Sequence, residues 1–585
     1  MGQQTKIDFQ VFKRLLVFAK DYKRLLFITL FFTVTLSFVS PLQPILIGKV
    51  VDKFVVATQD KSGLLRWCLL LVGVAFTEGL LQFCKAYFSN LMAQSIIRDL
   101  RKKVYAHILQ FKVRYFDRTP IGQIVTRIVS DIEAISDVFS SGLIDIIGDI
   151  MILVVILIMM FASNWKLSLL SLISFPLLII TTRIFARAMR KSYQHERLHV
   201  TRSNIFVQEH LSGMSIVQVF NRENREFKKF KEINAGLRHA YIEAIWAFSI
   251  FVPVVEFLSS LSIAFIIVWG GVTALGESEN TAAVFGEIFT FTLWVNMMFR
   301  PLRQLADKFN ILQRGIVRAE RVFEVLHRED EDLVEGENTT VDFNQDIQFK
   351  YVSFAYDKEN WILKDISLTI PKGKMVAFVG ATGAGKSTIV NILTKFYDFQ
   401  KGEINFGDTS LKDIDLEYLR KNIAIVLQDV FLFSDTIFNN ITLGNPNISK
   451  EDVIAASKAV GAHEFIEKLP GKYEYMLGER GGVLSVGQRQ LISFIRAYVY
   501  KPSILILDEA TSSVDTESEQ LIQRATDKVT EGRTSIVIAH RLATIRKADK
   551  IIVLDHGKVM ETGTHEELLE LNGFYRNLYD MQFAE

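Results

Sequence analysis

The sequence predicts a multidomain chain: a six-helix α transmembrane domain with long cytoplasmic helical extensions, followed by an α/β domain built around a phosphate-binding loop. Three observations carry this. Long apolar runs are confined to the first half of the chain. Short β-type runs alternate with helical patterns only in the second half. One of those short runs leads into a glycine-rich segment with the spacing of a phosphate loop.

Composition narrows the classes. Of 585 residues, 49% are apolar, 45 are Phe, and the mean hydropathy is +0.22. Such a chain is neither disordered nor of low complexity. Its 67 basic and 65 acidic residues leave a net charge of +2, too balanced for a dedicated nucleic-acid binder. The two cysteines, Cys68 and Cys84, lie in one apolar run, so there is neither a disulfide framework nor a cysteine zinc pattern.

Taken in order, the apolar runs cover 25–48, 67–87, 143–162, 167–182, 247–276 and 281–299. A helix of about 20 residues crosses the hydrocarbon core. The connections after the second and fourth runs are long and basic, with Arg98, Arg101, Lys102 and Lys103 in one and Arg183, Arg187, Arg190 and Lys191 in the other. Basic connections stay on the cytoplasmic side. Both termini are therefore expected inside, with the basic amphipathic stretch Phe9–Phe18 lying at the inner interface. Gln94–Phe111 and Ser203–Lys231 keep apolar residues at helical spacing, so the spans are expected to continue as helices beyond the membrane. Asp117–Gly122 has the Pro and Gly of a hairpin tip. The expected domains are 1–326 for the membrane part, an acidic linker at 327–346, and the α/β domain at 347–585. The strands of the last are expected at Met375–Val379, Ile423–Leu427, Ile504–Leu507, Ser535–Ala539 and Lys550–Leu554.

The chemistry sits in the second half. Gly380, Ala381, Thr382, Gly383, Ala384, Gly385, Lys386, Ser387 and Thr388 match GxxxxGK[ST], between a strand and an apolar helix. Backbone N–H groups there can turn onto phosphates, Lys386 can reach the β and γ oxygens, and Ser387 can ligate Mg²⁺. The strand Ile504–Leu507 runs into Asp508 and Glu509. Asp508 suits a magnesium contact, and Glu509 suits orientation and polarisation of an attacking water. By itself that acid pair would equally read as a helix cap after a buried strand.

These residues, with six further segments, resemble the ATP-binding cassette (ABC) family. Leu484-Ser485-Val486-Gly487-Gln488 is similar to its LSGGQ signature. Gln428 is similar to the Q-loop glutamine, Ser512–Asp515 to the D-loop, His540 to the switch histidine, and Tyr356 to the adenine-stacking aromatic. Glu479-Arg480-Gly481 is similar to a segment found in exporters. Six spans ahead of one α/β P-loop nucleotide-binding domain resemble the half-transporter exporters, such as bacterial multidrug and lipid A exporters. The resemblance implies ATP and Mg²⁺ as ligands, and Glu509, His540, Gln428 and Lys386 as the hydrolytic set. Ser387, Gln428 and Asp508 would lie around the metal. Tyr356 and residues 380 and 382–388 would hold the nucleotide. Ser485, Gly487, Gln488 and Asp515 would complete the site of a partner chain. A second half-transporter chain is then required, an identical copy before a different one. The cargo would be a hydrophobic or amphipathic drug, lipid or peptide, moved outward across a bacterial inner membrane. The departure is Val486, where the family usually has Gly. It fits either a tolerated variant or the weakened composite site of an asymmetric heterodimer. An importer or an ATP-gated channel would use the same nucleotide site. The fused layout speaks against the first, and Glu509 with His540 against the second.

Two further readings concern the spans. Glu78, Glu256 and Glu287 would either face a cavity, or pair with a neighbouring helix, be protonated or sit near an interface. Trp246, Phe248, Phe251, Phe291, Trp294, Met297, Met298 and Phe299 would either line a lipophilic pocket, or face lipid or pack helix on helix.

Overall fold

The computed structural model describes residues 13–15, 17, 18, 20–57, 61–276, 281–328, 336–357, 360–508, 516–539 and 541–583. Glu509, Ser512–Asp515 and His540 lie outside the described residues, as does half of Phe9–Phe18. The chain divides into two compact units, 1–109 with 120–329, and 110–119 with 330–585.

The first unit is helical. Its principal helices are α1 (Lys23–Val39), α2 (Lys61–Ile108), α3 (Ile144–Ser163), α4 (Phe175–Ser212), α5 (Glu223–Gly276) and α6 (Thr281–Leu326). Five helical stretches among the described residues are long and apolar enough to cross a membrane. The sixth apolar run, 281–299, begins α6. The run 25–48 is not one continuous helix. A turn at Ser40–Pro41 separates α1 from a second helix, Leu42–Val50, because proline lacks the N–H that would continue the ladder. The run 167–182 is likewise interrupted, at residues 172–174, before α4 begins. The 48 residues of α2 and 54 of α5 extend well past their apolar portions, as the helical spacing of the basic connections anticipates.

Side chains in this unit pair between helices. Ser40 donates to Glu78, Arg303 pairs with Glu256, and Asn164 Nδ2 donates to Glu287 at 3.3 Å. Each of the three carboxylates thus has a polar partner on another segment of the unit. Phe251, Phe291, Trp294, Met298 and Phe299 are buried in one helix-packing core, whereas Trp246 is exposed.

The second unit holds two sheets. The larger has the order β10-β9-β3-β8-β7-β6, made of β3 (Met375–Val379), β6 (Ile423–Val426), β7 (Ile504–Asp508), β8 (Thr534–Ile538), β9 (Lys550–Asp555) and β10 (Lys558–Gly563). All its pairings are parallel except β9 with β10. Strand alternation explains why its strands read as unbroken apolar runs. Ile504 and Ile506 enter one core while Leu505 and Leu507 enter the other, and Val376/Phe378 and Ala377/Val379 divide in the same way. Both faces are therefore covered. One face carries helices that include α7 (Lys450–Val460) and α8 (Val486–Val499). The other packs on an antiparallel sheet of order β2-β1-β4-β5, with β1 (Ile347–Ala355), β2 (Trp361–Ile370), β4 (Lys401–Phe406) and β5 (Thr409–Ser410).

Candidate functional site

In a parallel sheet all strands end on one side, and ligands bind there. The phosphate loop follows β3, Asp508 ends β7, and Gln428 lies two residues past β6. Because β6, β7, β8 and β3 are consecutive neighbours in register, these three groups share the carboxyl edge. His540 follows β8 in the sequence.

The loop itself is built by glycine. Gly380 has φ +156°, and a Cβ there would lie 2.2 Å from the Leu554 carbonyl oxygen. Gly385 has φ +106°, and its Cβ would meet Leu363 Cδ2 at 2.7 Å. No larger residue fits either place. The helix Lys386–Leu393 starts directly behind Gly385, so its N-terminal N–H groups face the loop. Ser387 is exposed at its first turn, while Thr388 is buried.

Lys386 is 6% exposed, and its Nζ donates to the carbonyl oxygens of Gly380 (2.7 Å) and Ala381 (3.0 Å). Burial pushes its ammonium below the ordinary lysine range, while the charge of Asp508 acts in the opposite direction. A buried cation held by two carbonyls of its own loop is suited to a polyanion that would neutralise it. Ser387, Gln428 and Asp508 offer oxygen donors, the set a hard cation such as Mg²⁺ prefers.

Tyr356 is fixed from both ends. Its hydroxyl receives a hydrogen bond from Asn391 Nδ2 at 3.1 Å and lies 3.3 Å from Thr388 Oγ1, both on the loop's helix. Its ring stands edge-on to Phe354 and Tyr397, with centroids 4.8 and 4.9 Å away. The backbone carbonyl of Tyr356 accepts from Arg118 Nη2 at 2.7 Å, and Asp357 pairs with the same nitrogen at 3.0 Å. Arg118 belongs to the short helix Val113–Arg118, which is part of this unit. Lys112 pairs there with Asp398 at 2.9 Å, and Tyr397 donates its hydroxyl to Asp117. Burial, and then that bond, raise the Tyr397 phenol above its usual range. Asn391 and Arg118 were not singled out by the sequence. Asn391 lies one helical turn past Ser387, which is the only signal it carries.

Ser485 caps α8 by a reciprocal box. Its Oγ accepts from Gln488 N at 3.2 Å, and Gln488 Oε1 accepts from Ser485 N at 3.0 Å. Two end N–H groups are thereby satisfied, and Gly487 is buried in the first turn. Val486 projects outward, 42% exposed. In the preceding segment Arg480 is held at φ +53° and Gly481 at φ +65°, a tight turn that leads into the cap.

A family model described as the ABC transporter transmembrane region matches residues 26–302, and one described as ABC transporter matches residues 363–512. The uncharacterized ABC transporter ATP-binding protein YknV of Bacillus subtilis is 36% identical, over 98% of this chain and 94% of its own length. The ATP-dependent lipid A-core flippase of Desulfotalea psychrophila is 35% identical, over 98% of this chain and 99% of its own length. A solved bacterial Atm1-family ABC exporter with ATP bound superposes with a TM-score of 0.79 at 27% identity, over 96% of this chain and 99% of that one.

Proposed function

The chain belongs to the ABC transporters, an ATPase-coupled exporter that crosses the membrane several times, and from this footing we propose how its residues divide the work. The observation that carries the reading is the convergence of the phosphate loop, Asp508 and Gln428 on one sheet edge. Lys386 and the N–H groups of residues 380 and 382–388 bind the ATP phosphates, and Tyr356 stacks on the adenine. Mg²⁺, held by Ser387, Gln428 and Asp508, supplies charge neutralisation at the phosphates. Glu509 orients and deprotonates the attacking water. His540 and Gln428 position the γ-phosphate and that water. Phosphoryl transfer asks for this kind of positioning more than for covalent chemistry.

One chain has one phosphate loop and one signature segment. Two copies therefore associate, each offering Ser485, Gly487, Gln488 and Asp515 to the other's nucleotide, with a second, different half-transporter as the alternative partner. The domains run 1–326, 327–346 and 347–585, with Phe116–Gln123 and Val219–Glu223 as coupling tips. The protein sits in a bacterial inner membrane with both termini in the cytoplasm. Its cargo is amphipathic. A lipid is the favoured class, since a relative of nearly equal length is named a lipid A-core flippase.

The test is ATP-dependent flux of a fluorescent lipid in proteoliposomes. Flux directed away from the nucleotide-binding side, lost in Glu509→Gln, supports the reading. Flux toward that side, or conductance without accumulation, would replace it by an importer or a gated channel. Full ATPase activity in a strictly monomeric preparation would remove the shared site.

A further inference from the structure

β1 ends at Ala355, one residue before Tyr356. The neighbouring strand β4 begins only at Lys401, opposite Ser353 and two residues short of that end. A side chain takes over from there. Gln400 Oε1 accepts from Ala355 N at 3.0 Å, and Gln400 Nε2 donates to the Ala355 carbonyl oxygen at 3.0 Å. Two opposed residues of an antiparallel ladder exchange the same reciprocal pair of bonds through their backbones. The amide of glutamine can reproduce it, since it carries a donor and an acceptor side by side. The main chain of Gln400 adds a bond from its N–H to the Ser353 carbonyl oxygen at 3.3 Å.

A bulge two residues further on sets Gln400 in register. The pairing of β1 with β4 shifts between Lys350 and Ser353. Gly402 passes there at φ +82°, and a Cβ on it would lie 2.4 Å from the Tyr351 carbonyl oxygen. A side chain at 402 would hold the two strands apart. On the opposite edge of β1, Ala355 stands against Trp361 of β2. The end of β1 is thus braced from both neighbours, and the chain enters Tyr356 from a fixed point.

We propose that Gln400 is a positioning residue for nucleotide binding: its amide prolongs the sheet to Ala355 and so presents the Tyr356 ring to the base before ATP arrives. This rests on the assignment of Tyr356 to the adenine. Asn391 and Thr388 hold only the far end of that side chain. Without Gln400 the ring keeps its hydroxyl contacts but loses a support of its backbone, and binding must then supply the ordering.

The experiment uses the full chain in detergent. It combines steady-state ATP hydrolysis, a fluorescent-nucleotide titration, and inorganic tripolyphosphate as a competitor that has no base. Gln400→Ala should weaken nucleotide binding and raise the KM for ATP by roughly three- to tenfold. Turnover at saturation and inhibition by tripolyphosphate should stay unchanged. Gln400→Met keeps the length of the side chain without its amide, and should match the alanine variant. Tyr356→Ala/Gln400→Ala should bind ATP no more weakly than Tyr356→Ala, because Gln400 acts through that ring. Unchanged ATP affinity in Gln400→Met, a parallel loss of tripolyphosphate affinity, or additive losses in the double variant overturns the proposal. Each of these leaves Tyr356 at the adenine as long as Tyr356→Ala alone weakens ATP binding. Full ATP affinity in Tyr356→Ala removes that assignment, and the proposal with it.

Discussion

The two units store their determinants in different ways. In the second, the groups proposed to face phosphate come from nine consecutive residues, Gly380 to Thr388, and from the ends of neighbouring strands. In the first, the structural polar contacts join distant residues: Lys85 with Asp145 at 2.7 Å, Lys308 with Asp149, and Arg303 with Glu256. A local motif fixes its geometry through its own backbone. A tertiary pair depends on how whole helices pack, so the sequence carries no spacing that announces it. Substitutions in the two places should fail differently, in chemistry for one and in stability for the other.

The largest effect is expected at Glu509. Glu509→Gln should lower ATP turnover by about 10²- to 10⁴-fold, the range for loss of a general base, while nucleotide binding persists. Steady-state hydrolysis and a fluorescent-nucleotide titration check it. Turnover near that of the unmodified chain would take the general base elsewhere on the sheet edge.

The contrasting change is Asp149→Ala. It leaves Lys308, only 12% exposed, without its carboxylate. Orphaning a partly buried charge costs about 2–3 kcal/mol, somewhat less than a fully buried one. The thermal unfolding midpoint in detergent should fall, while nucleotide affinity is kept. Asp149→Leu combined with Lys308→Met should recover most of the loss, since both charges are then gone. A double variant no better than the single one would show that the pair does more than neutralise itself.

Tyr356→Ala should weaken ATP binding by roughly 5- to 30-fold, within the range of base–aromatic stacking. Tyr356→Phe separates the ring from its hydroxyl. It keeps the stacking face and loses the bonds to Asn391 and Thr388, a loss of about 1 kcal/mol. Equal affinities for the alanine variant and the unmodified chain would remove Tyr356 from the adenine pocket.

The difference between local and distant determinants also explains what could be read in advance. The five parallel strands were legible to within a residue or two, because both faces of each are buried and the apolar runs are continuous. The antiparallel sheet was not. Register shifts after Phe349, Val352 and Phe354, with Tyr351 at φ +50° and Asp365 at φ +52°, break the period-two pattern of β1 and β2. The phosphate loop was legible down to its glycines, whereas Asn391 and Arg118 became visible only through the groups they touch.

The smallest effect is expected at Val486, where this chain departs from the family's glycine. Val486 is the first residue of α8, and its side chain points away from the core. The capping box that precedes and follows it is intact. A β-branched residue in a first turn loses little rotamer freedom compared with one in a helix interior. Val486→Gly should therefore change stability by less than about 0.5 kcal/mol, with the lower helix propensity of glycine set against the relief of restriction. Hydrolysis by the purified chain alone should stay within about twofold, less than 0.5 kcal/mol in the barrier. A large rise in turnover would mean that the valine throttles the shared site, and would favour an asymmetric pairing with a second, different chain. No rise places Val486 on a surface where the methyl groups meet nothing that hydrolysis needs.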